Sequence, residues 1–418
     1  MTIQFEEALM SFRKFPLAAL TAGILALAAS VPAAAQDIRI GGVFSYTGGL
    51  GALGPRIRDG ARLAVEEVNR AGGVLQNRRL VFVDADDQTN PQVAVDVATR
   101  LVQVEQVVAL VGAMASGSTI PVANSVTIPN GTVQISPSST APAISALNDR
   151  DFVFRTAVPD GLQGQVIARE ARARSVDRIA IMAINSPYGN GLMNAIRENF
   201  TRLGGTVTSA TNFEGDRPSY RAELATAAGS GNPQALVVVG YPANGGNTII
   251  RQALENGFFR NFILPDGMRD PTVVREIGAS NLASSWGTAP SSTAESALQE
   301  RFRTAYRAFS KEDPTQAFVA ESYDAAMLIA LAIQQAGSAD RTAIRDALRR
   351  VANGPGERVG PGEFARAKEL IARGVKINYE GASGPVDFDA SGDVQGRIGV
   401  WVVRGNGEIA VEKTVGPN

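Results

Sequence analysis

Apolar positions in this chain fall into two kinds of run, and the two kinds alternate. Short, nearly unbroken apolar stretches at Ile38–Phe44, Arg79–Asp84, Val107–Val111, Thr132–Ile135 and Phe152–Arg155 have the length and β-branched content of buried strands. Between them lie stretches with helical spacing. Ile57–Asn69 is closed by Ala71-Gly72-Gly73, Pro91–Val104 starts on proline, and Ser118–Val126 is shorter. The rhythm then restarts, with strands predicted at Arg178–Ala183, Val207–Asn212, Ala235–Val239 and Phe262–Leu264. Helices are predicted between these, near Gly161–Arg174, Gly189–Leu203, Tyr220–Ala228 and Thr248–Asn256. Such alternation requires parallel sheets covered by helices on both faces, and two such runs predict two similar α/β lobes. The tail changes character. Helices near Ala294–Ser310, Gln316–Gln335 and Arg341–Val351 follow one another, and the Gly/Pro-rich stretch Asn353–Gly362 leads to a helix near Glu363–Arg373. Strands are expected at Val386–Phe388 and Ile398–Val403, and the helical tail is expected to pack back on the first lobe.

Composition narrows the function. The 418 residues suffice for two substantial cores, and a formal net charge of −1 argues against a nucleic-acid partner, which requires a basic face. With no cysteine and no histidine, most metal, cysteine-nucleophile and Ser–His chemistry is removed at once. At the N-terminus, Arg13-Lys14 precede the apolar run Leu17–Ala29, and Val31–Ala35 ends in small residues. This reads as a signal peptide over residues 1–35, cleaved after Ala35, and its apolar run is too short and Ala-rich to span a membrane. No cysteine stands at the cleavage site to carry a lipid, so the mature chain is expected to be freely soluble.

The stretch Val107–Pro142 holds the chemistry. Twice within it a strand opens into a loop of small hydroxyl residues, Gly112–Thr119 and Ser136–Thr140. Backbone N–H groups and short hydroxyls at the carboxyl ends of adjacent parallel strands make an uncharged cradle for a carboxylate. Ser116, Ser138 and Thr140, and further on Tyr188, Tyr241 and Asp266, each follow the carboxyl end of a predicted strand, where ligands of open α/β sheets collect. Phe318 is a candidate to cover the pocket; the plain alternatives are core packing for it, helix caps and turns for the hydroxyls, and a turn pair for Asp266-Gly267. Gly49–Gly54 matches G-x-G-x-x-G, but Ser45–Gly48 separate it from the strand, and the next strand ends in Asp84, too far on for a ribose ligand. The Gly-rich segment reads instead as a rim of the cleft. No carboxylate pair is evident at the strand ends, so the ligand should leave unchanged.

In order along the chain, Gly60–Asn69 with Ala71–Gly73, Asp86-Asp87, Gly112–Thr119, Ser136–Pro142, Tyr188-Gly189, Gly240-Tyr241, Pro265–Gly267, Tyr323–Ala325 and Tyr379–Phe388 resemble the periplasmic substrate-binding proteins of branched-chain amino-acid ABC transporters. The resemblance implies the type I periplasmic binding protein fold, an α/β architecture of two doubly wound parallel-sheet lobes joined by a three-segment hinge. Lobe I is expected over 37–158 plus 288–377 and lobe II over 159–287 plus 378–418, with crossings near Val158, Gly287 and Gly381. It implies a monomeric, periplasmic, non-enzymatic receptor without cofactor, which closes on a small α-amino acid and serves membrane permease and ATPase subunits. By the same resemblance, Ser116 binds the ligand's carboxylate, Thr140 touches both carboxylate and ammonium, and the Ser138 carbonyl meets the ammonium. Asp266 supplies its counter-charge, Tyr188 packs over the ligand, and Tyr241 lines the mouth.

There are departures. The well-studied members have glutamate in place of Asp266, an aromatic near Leu53, and a disulfide where Thr89 and Ala115 stand here. These put strict Leu/Ile/Val specificity in doubt. The alternatives are an exported ligand sensor, or a receptor for a small amide, urea-like compound or organic acid.

Overall fold

The first apolar runs form one parallel sheet. In the computed structural model, which describes residues 36–291 and 297–417, it consists of β1 (Ile38–Phe44), β2 (Leu80–Asp86), β3 (Ala109–Val111), β4 (Val133–Ser136) and β5 (Val153–Arg155) in the order β2-β1-β3-β4-β5. The signal sequence read at 1–35 lies outside the described residues. The second run supplies β6 (Arg178–Ile184), β7 (Thr206–Phe213), β8 (Ala235–Val239), β9 (Phe262–Leu264) and β10 (Trp286–Ser291). In the tail, β11 (Glu357–Val359) and β12 (Ile377–Tyr379) form a small parallel pair. The last strands, β13 (Arg397–Val403) and β14 (Ile409–Val415), complete the second sheet antiparallel, in the order β14-β13-β10-β9-β8-β6-β7.

Local sequence explains where the helices begin. Asn90 accepts from the N–H groups of Gln92 and Val93, and Pro91 takes the first helical position of Pro91–Thr99. Ser186 caps Pro187–Arg202 by accepting from Gly189 N–H at 3.1 Å, which fixes the start of the turn that carries Tyr188. The tail packs on the first lobe as expected. Its helix Val319–Ala336, buried almost all round, lies against Gly54–Arg70, where a Cβ on Gly60 would come within 2.3 Å of the Val319 carbonyl oxygen. From the neighbouring helix Ala297–Ser310, the Tyr306 hydroxyl donates to the Arg56 carbonyl.

Sheet membership moves two of the expected crossings. β10 pairs with β9 and β13 as far as Ser291, so the second-lobe segment does not end at Gly287. Nor does the chain leave the first lobe at Gly381. The segment after β12 is held there by Asp324, which accepts from the Tyr379 hydroxyl at 2.8 Å, the N–H groups of Ala382 and Ser383, and the Ser383 hydroxyl. Phe388 packs on Phe154, and Asp393 pairs with Arg155. The return to the second sheet comes at Gly396, which lies against Val158 of the first crossing. Residues 378–394 therefore belong with lobe I. Val386–Phe388 is not a strand, its one β-type pairing being an isolated bridge from Phe388 to Val394.

One buried carboxyl makes stability depend on pH. Glu321, in the first turn of Val319–Ala336, is pushed up to about 7 by burial, with the nearby Asp324 charge adding and Arg269 opposing. An acid that is weaker folded than unfolded favours the folded state when protonated. Its contribution is fully present below about pH 4.5 and is lost as pH rises through about 7. Glu321→Gln is expected to flatten this part of the profile and to stabilise the protein above pH 7 by on the order of 2–3 kcal/mol. Urea unfolding of both proteins across this range checks it, and parallel profiles would exclude Glu321 as the source.

Candidate functional site

The carboxyl ends of the parallel strands in both sheets face one cavity. Ser116 and Ser138 enter it from the first lobe, and Tyr188, Tyr241 and Asp266 from the second. Leu50, Leu53, Ile57 and Phe318 form much of its apolar wall. The lobes touch at the rim, with Gly49 against Asn244 and Tyr241 and Gly191 against Pro142, so the cleft is closed.

The hydroxyl-rich loops are more self-contained than their composition suggests. Ser136 and Ser139 donate to the Ala113 carbonyl, and Thr119 and Ser139 share a hydrogen bond of 2.7 Å. These bonds lock the loops after β3 and β4 together and leave other residues for a ligand. Ser116, the first residue of a short helix, accepts from Ala141 N–H at 3.2 Å, and Ser138 donates to the Met114 carbonyl at 3.0 Å. Thr140 is not in the cavity wall. It is buried behind it, its carbonyl accepting from Asp160 N–H at 2.9 Å.

Opposite this neutral cradle stands a negative charge. Asp266 is 3% exposed, and its Oδ1 accepts from the Tyr188 hydroxyl and the Gln163 amide, both at 2.8 Å. The Tyr188 hydroxyl also accepts from Gly267 N–H at 3.2 Å, and its ring stacks on Tyr241 with centroids 5.6 Å apart. Burial raises the Asp266 pKa, while the donors from Tyr188 and Gln163 pull it back. Burial and the Asp266 charge together push the Tyr188 phenol well up, so Tyr188 stays a neutral donor.

Two participants, Gln163 and Asp160, escape the sequence reading, and Phe318 takes the pocket-covering role weighed there against core packing. Phe318 lines the cavity instead of serving only as core, at a left-handed φ of 69° where its helix begins. Gln163 holds Asp266 in place. Asp160, fully buried, adds a second carboxylate whose pKa is raised by burial and then by the Asp266 charge. The expectation of no carboxylate pair thus fails, because Asp160 comes near Asp266 through tertiary packing across more than a hundred residues of chain. Its signal was the strand-end rule itself, since Pro159-Asp160 closely follows β5. Among the described residues no group of three or more His, Cys, Asp or Glu side chains is placed to hold a metal ion.

A model of periplasmic binding proteins matches residues 37–406, nearly all of the described chain. The chain belongs to the periplasmic binding protein family. Among its relatives, the chemotactic signal transduction system substrate-binding protein BasB of Halobacterium salinarum is 31% identical, over 86% of this chain and 85% of that protein. The leucine-, isoleucine-, valine-, threonine- and alanine-binding protein of Pseudomonas aeruginosa is 30% identical over 77% of this chain and 84% of its own length. The structure of the branched-chain amino acid transporter substrate binding protein LivJ from Streptococcus pneumoniae, with isoleucine bound, superposes with a TM-score of 0.76. It is 26% identical, and the match covers 91% of this chain and 100% of LivJ. The leucine binding protein LivK of Thermotoga maritima, also 26% identical, gives 0.78 over 91% and 99% of the two chains. As a periplasmic binding protein the chain has the type I fold and is a substrate-binding protein, not an enzyme. Its family is exported to the periplasm.

Proposed function

We propose that the protein is the monomeric periplasmic receptor for a small aliphatic α-amino acid, delivering it to the permease and ATPase subunits of an ABC importer. The observation that carries this is a buried carboxylate, Asp266, facing the Ser116 and Ser138 loops across a cavity with an apolar wall. A zwitterion leaving water needs both charges met, because an unpaired buried charge is costly and charge-assisted hydrogen bonds are the strong ones. Ser116 N–H and hydroxyl take the carboxylate, Asp266 takes the ammonium, and Tyr188 and Tyr241 cover the ligand. Thr140 supports this site from behind the wall through its link to Asp160. Leu50, Leu53, Ile57 and Phe318 suit an aliphatic side chain. Amino-acid binding by the relatives and neighbours named above agrees with this reading. BasB, named for chemotactic signalling, supports a second reading in which the occupied receptor reports to a sensor.

Calorimetry on protein unfolded, stripped of ligand and refolded separates the cargo classes. Aliphatic α-amino acids are expected to bind, whereas the matching amides without an amine, and aromatic acids without one, are expected not to. Equal binding of a plain carboxylic acid would overturn the amino-acid assignment.

A further inference from the structure

Behind the cavity wall lies a group of buried polar atoms without well-formed hydrogen bonds. Asp160 opens the helix Asp160–Ala173, directly after the first chain crossing, and is wholly buried. Its carboxylate oxygens make no hydrogen bond of good geometry, the Thr140 hydroxyl being the one donor beside them, and Gln163 Oε1 has no donor. Every element packed against Asp160 contributes a group that matters for its charge. Gln163 lies one turn along its own helix, with its amide N–H given to Asp266. Thr140 comes from the loop after β4 and Arg155 from β5, while Asp266, Tyr188 and Tyr241 face it from the second lobe.

Arg155 is the one cation among these, and it is already engaged. It donates to both Asp393 oxygens at 2.5 and 3.0 Å, to Ser145 Oγ at 2.5 Å and to the Ala141 carbonyl at 2.8 Å. Two carboxylates therefore share a buried space without a free positive charge, a situation in which one of them keeps a proton. The hydrogen bonds say which one. Asp266 receives the Tyr188 and Gln163 donors, both at 2.8 Å, and suits the ionised form, while Asp160 has only the poorly aligned Thr140 hydroxyl beside it.

We propose that Asp160 is the proton-exchanging partner of Asp266, holding a proton while the cleft lacks a cation and releasing it when an ammonium group arrives. The proton is well placed, because an Asp160 hydroxyl can donate to the neighbouring Thr140 Oγ1, which has no other donor. The exchange balances. The neutral acid and the ligand's ammonium become a carboxylate and the same ammonium, and one proton passes to solvent with no other bond changed. Asp160 is thus a positioning residue, acting on the ligand through Thr140 and Asp266. It also sharpens the ligand class, since only a cationic amine brings the charge that expels the proton. Burial, the Asp266 charge and the weaker opposing pull of Thr140 and Arg155 leave Asp160 well above the ordinary carboxylate range, in agreement.

This inference rests on the amino-acid reading above, and its test separates the two. L-leucine is titrated into the ligand-stripped full chain in buffers of equal pH but different ionisation enthalpy, from about pH 5 to about pH 8. The wild type is expected to release up to one proton per leucine, with affinity rising by up to about tenfold per pH unit where release occurs. Asp160→Asn is expected to bind leucine with no proton release and little dependence on pH. Leucine binding by the wild type without proton release anywhere in this range overturns the role of Asp160 and leaves the cargo assignment standing. Undiminished release by Asp160→Asn overturns it equally. Failure of every amino acid to bind overturns both. Should Asp160→Asn not fold, the wild-type proton count alone decides.

Discussion

Replacing Asp266 by alanine weakens amino-acid binding by roughly 30-fold or more. The carboxylate is 3% exposed and held by Tyr188 and Gln163, so it cannot swing away to solvent when an ammonium approaches. Removing one partner of a buried, hydrogen-bonded charge pair costs on the order of 2–5 kcal/mol, and about 1.4 kcal/mol is tenfold in affinity. A second effect follows from where the groups lie. Ser116 and Ser138 belong to the first lobe and Asp266 to the second, so a ligand that touches both stabilises the closed form by its differential affinity for it. Asp266→Ala should therefore remain more open at a leucine concentration that closes the wild type. Calorimetry measures the first effect and small-angle scattering the second. Because alanine also leaves the Tyr188 hydroxyl without its acceptor, Asp266→Asn serves as the companion, keeping the acceptor while removing the charge. If both variants bind and close like the wild type, the cargo carries no cationic amine at this position.

Two of the parts easiest to read from the sequence were also the most local. β8 and β9 lie where their apolar runs put them, because a strand buried on both faces leaves an unbroken hydrophobic signature. Trp286–Ser291 has no such run. Gly287 and Pro290 interrupt it, and it is a strand because β9 and β13 flank it. Ile409–Val415 opens on three apolar residues and turns polar at Glu412–Thr414, as suits an edge strand, so its pairing with β13 carries more information than its composition. The hinge was misplaced for a related reason. The Gly381–Ser383 turn looks like a linker by composition, yet Asp324, some sixty residues earlier, gathers it into the first lobe. At the site, strand-end position was sufficient for Ser116, Ser138, Tyr188, Tyr241 and Asp266, all of which reach the cavity. It was insufficient for Thr140, which is one layer too deep, and for Phe318, which a tail helix delivers from outside the strand rhythm.

Breaking the Arg155–Asp393 pair is expected to cost about 3–5 kcal/mol of stability in Asp393→Ala. Arg155 is completely buried, and Asp393 accepts two of its hydrogen bonds, at 2.5 and 3.0 Å. Removing the carboxylate leaves a guanidinium in the interior with only the Ser145 hydroxyl and backbone carbonyls for company. The pair also ties together parts that the ligand uses. Asp393 stands just before the last crossing at Gly396, and Arg155 grips the Ala141 carbonyl next to Thr140. Asp393→Ala should therefore lower amino-acid affinity too, but by less than Asp266→Ala, since it loosens the cradle without removing a ligand charge. Urea unfolding followed by fluorescence gives the stability change, and a loss below about 1 kcal/mol would mean that the pair contributes no more than a surface ion pair. The double replacement Arg155→Met with Asp393→Leu distinguishes the charge from the packing. A buried pair exchanged for apolar groups of similar volume is often neutral, whereas a single deletion strands the remaining charge. The double variant should accordingly be more stable than Asp393→Ala, while its Ala141–Thr140 loop, having lost the guanidinium that anchors it, should still bind amino acids less tightly than the wild type.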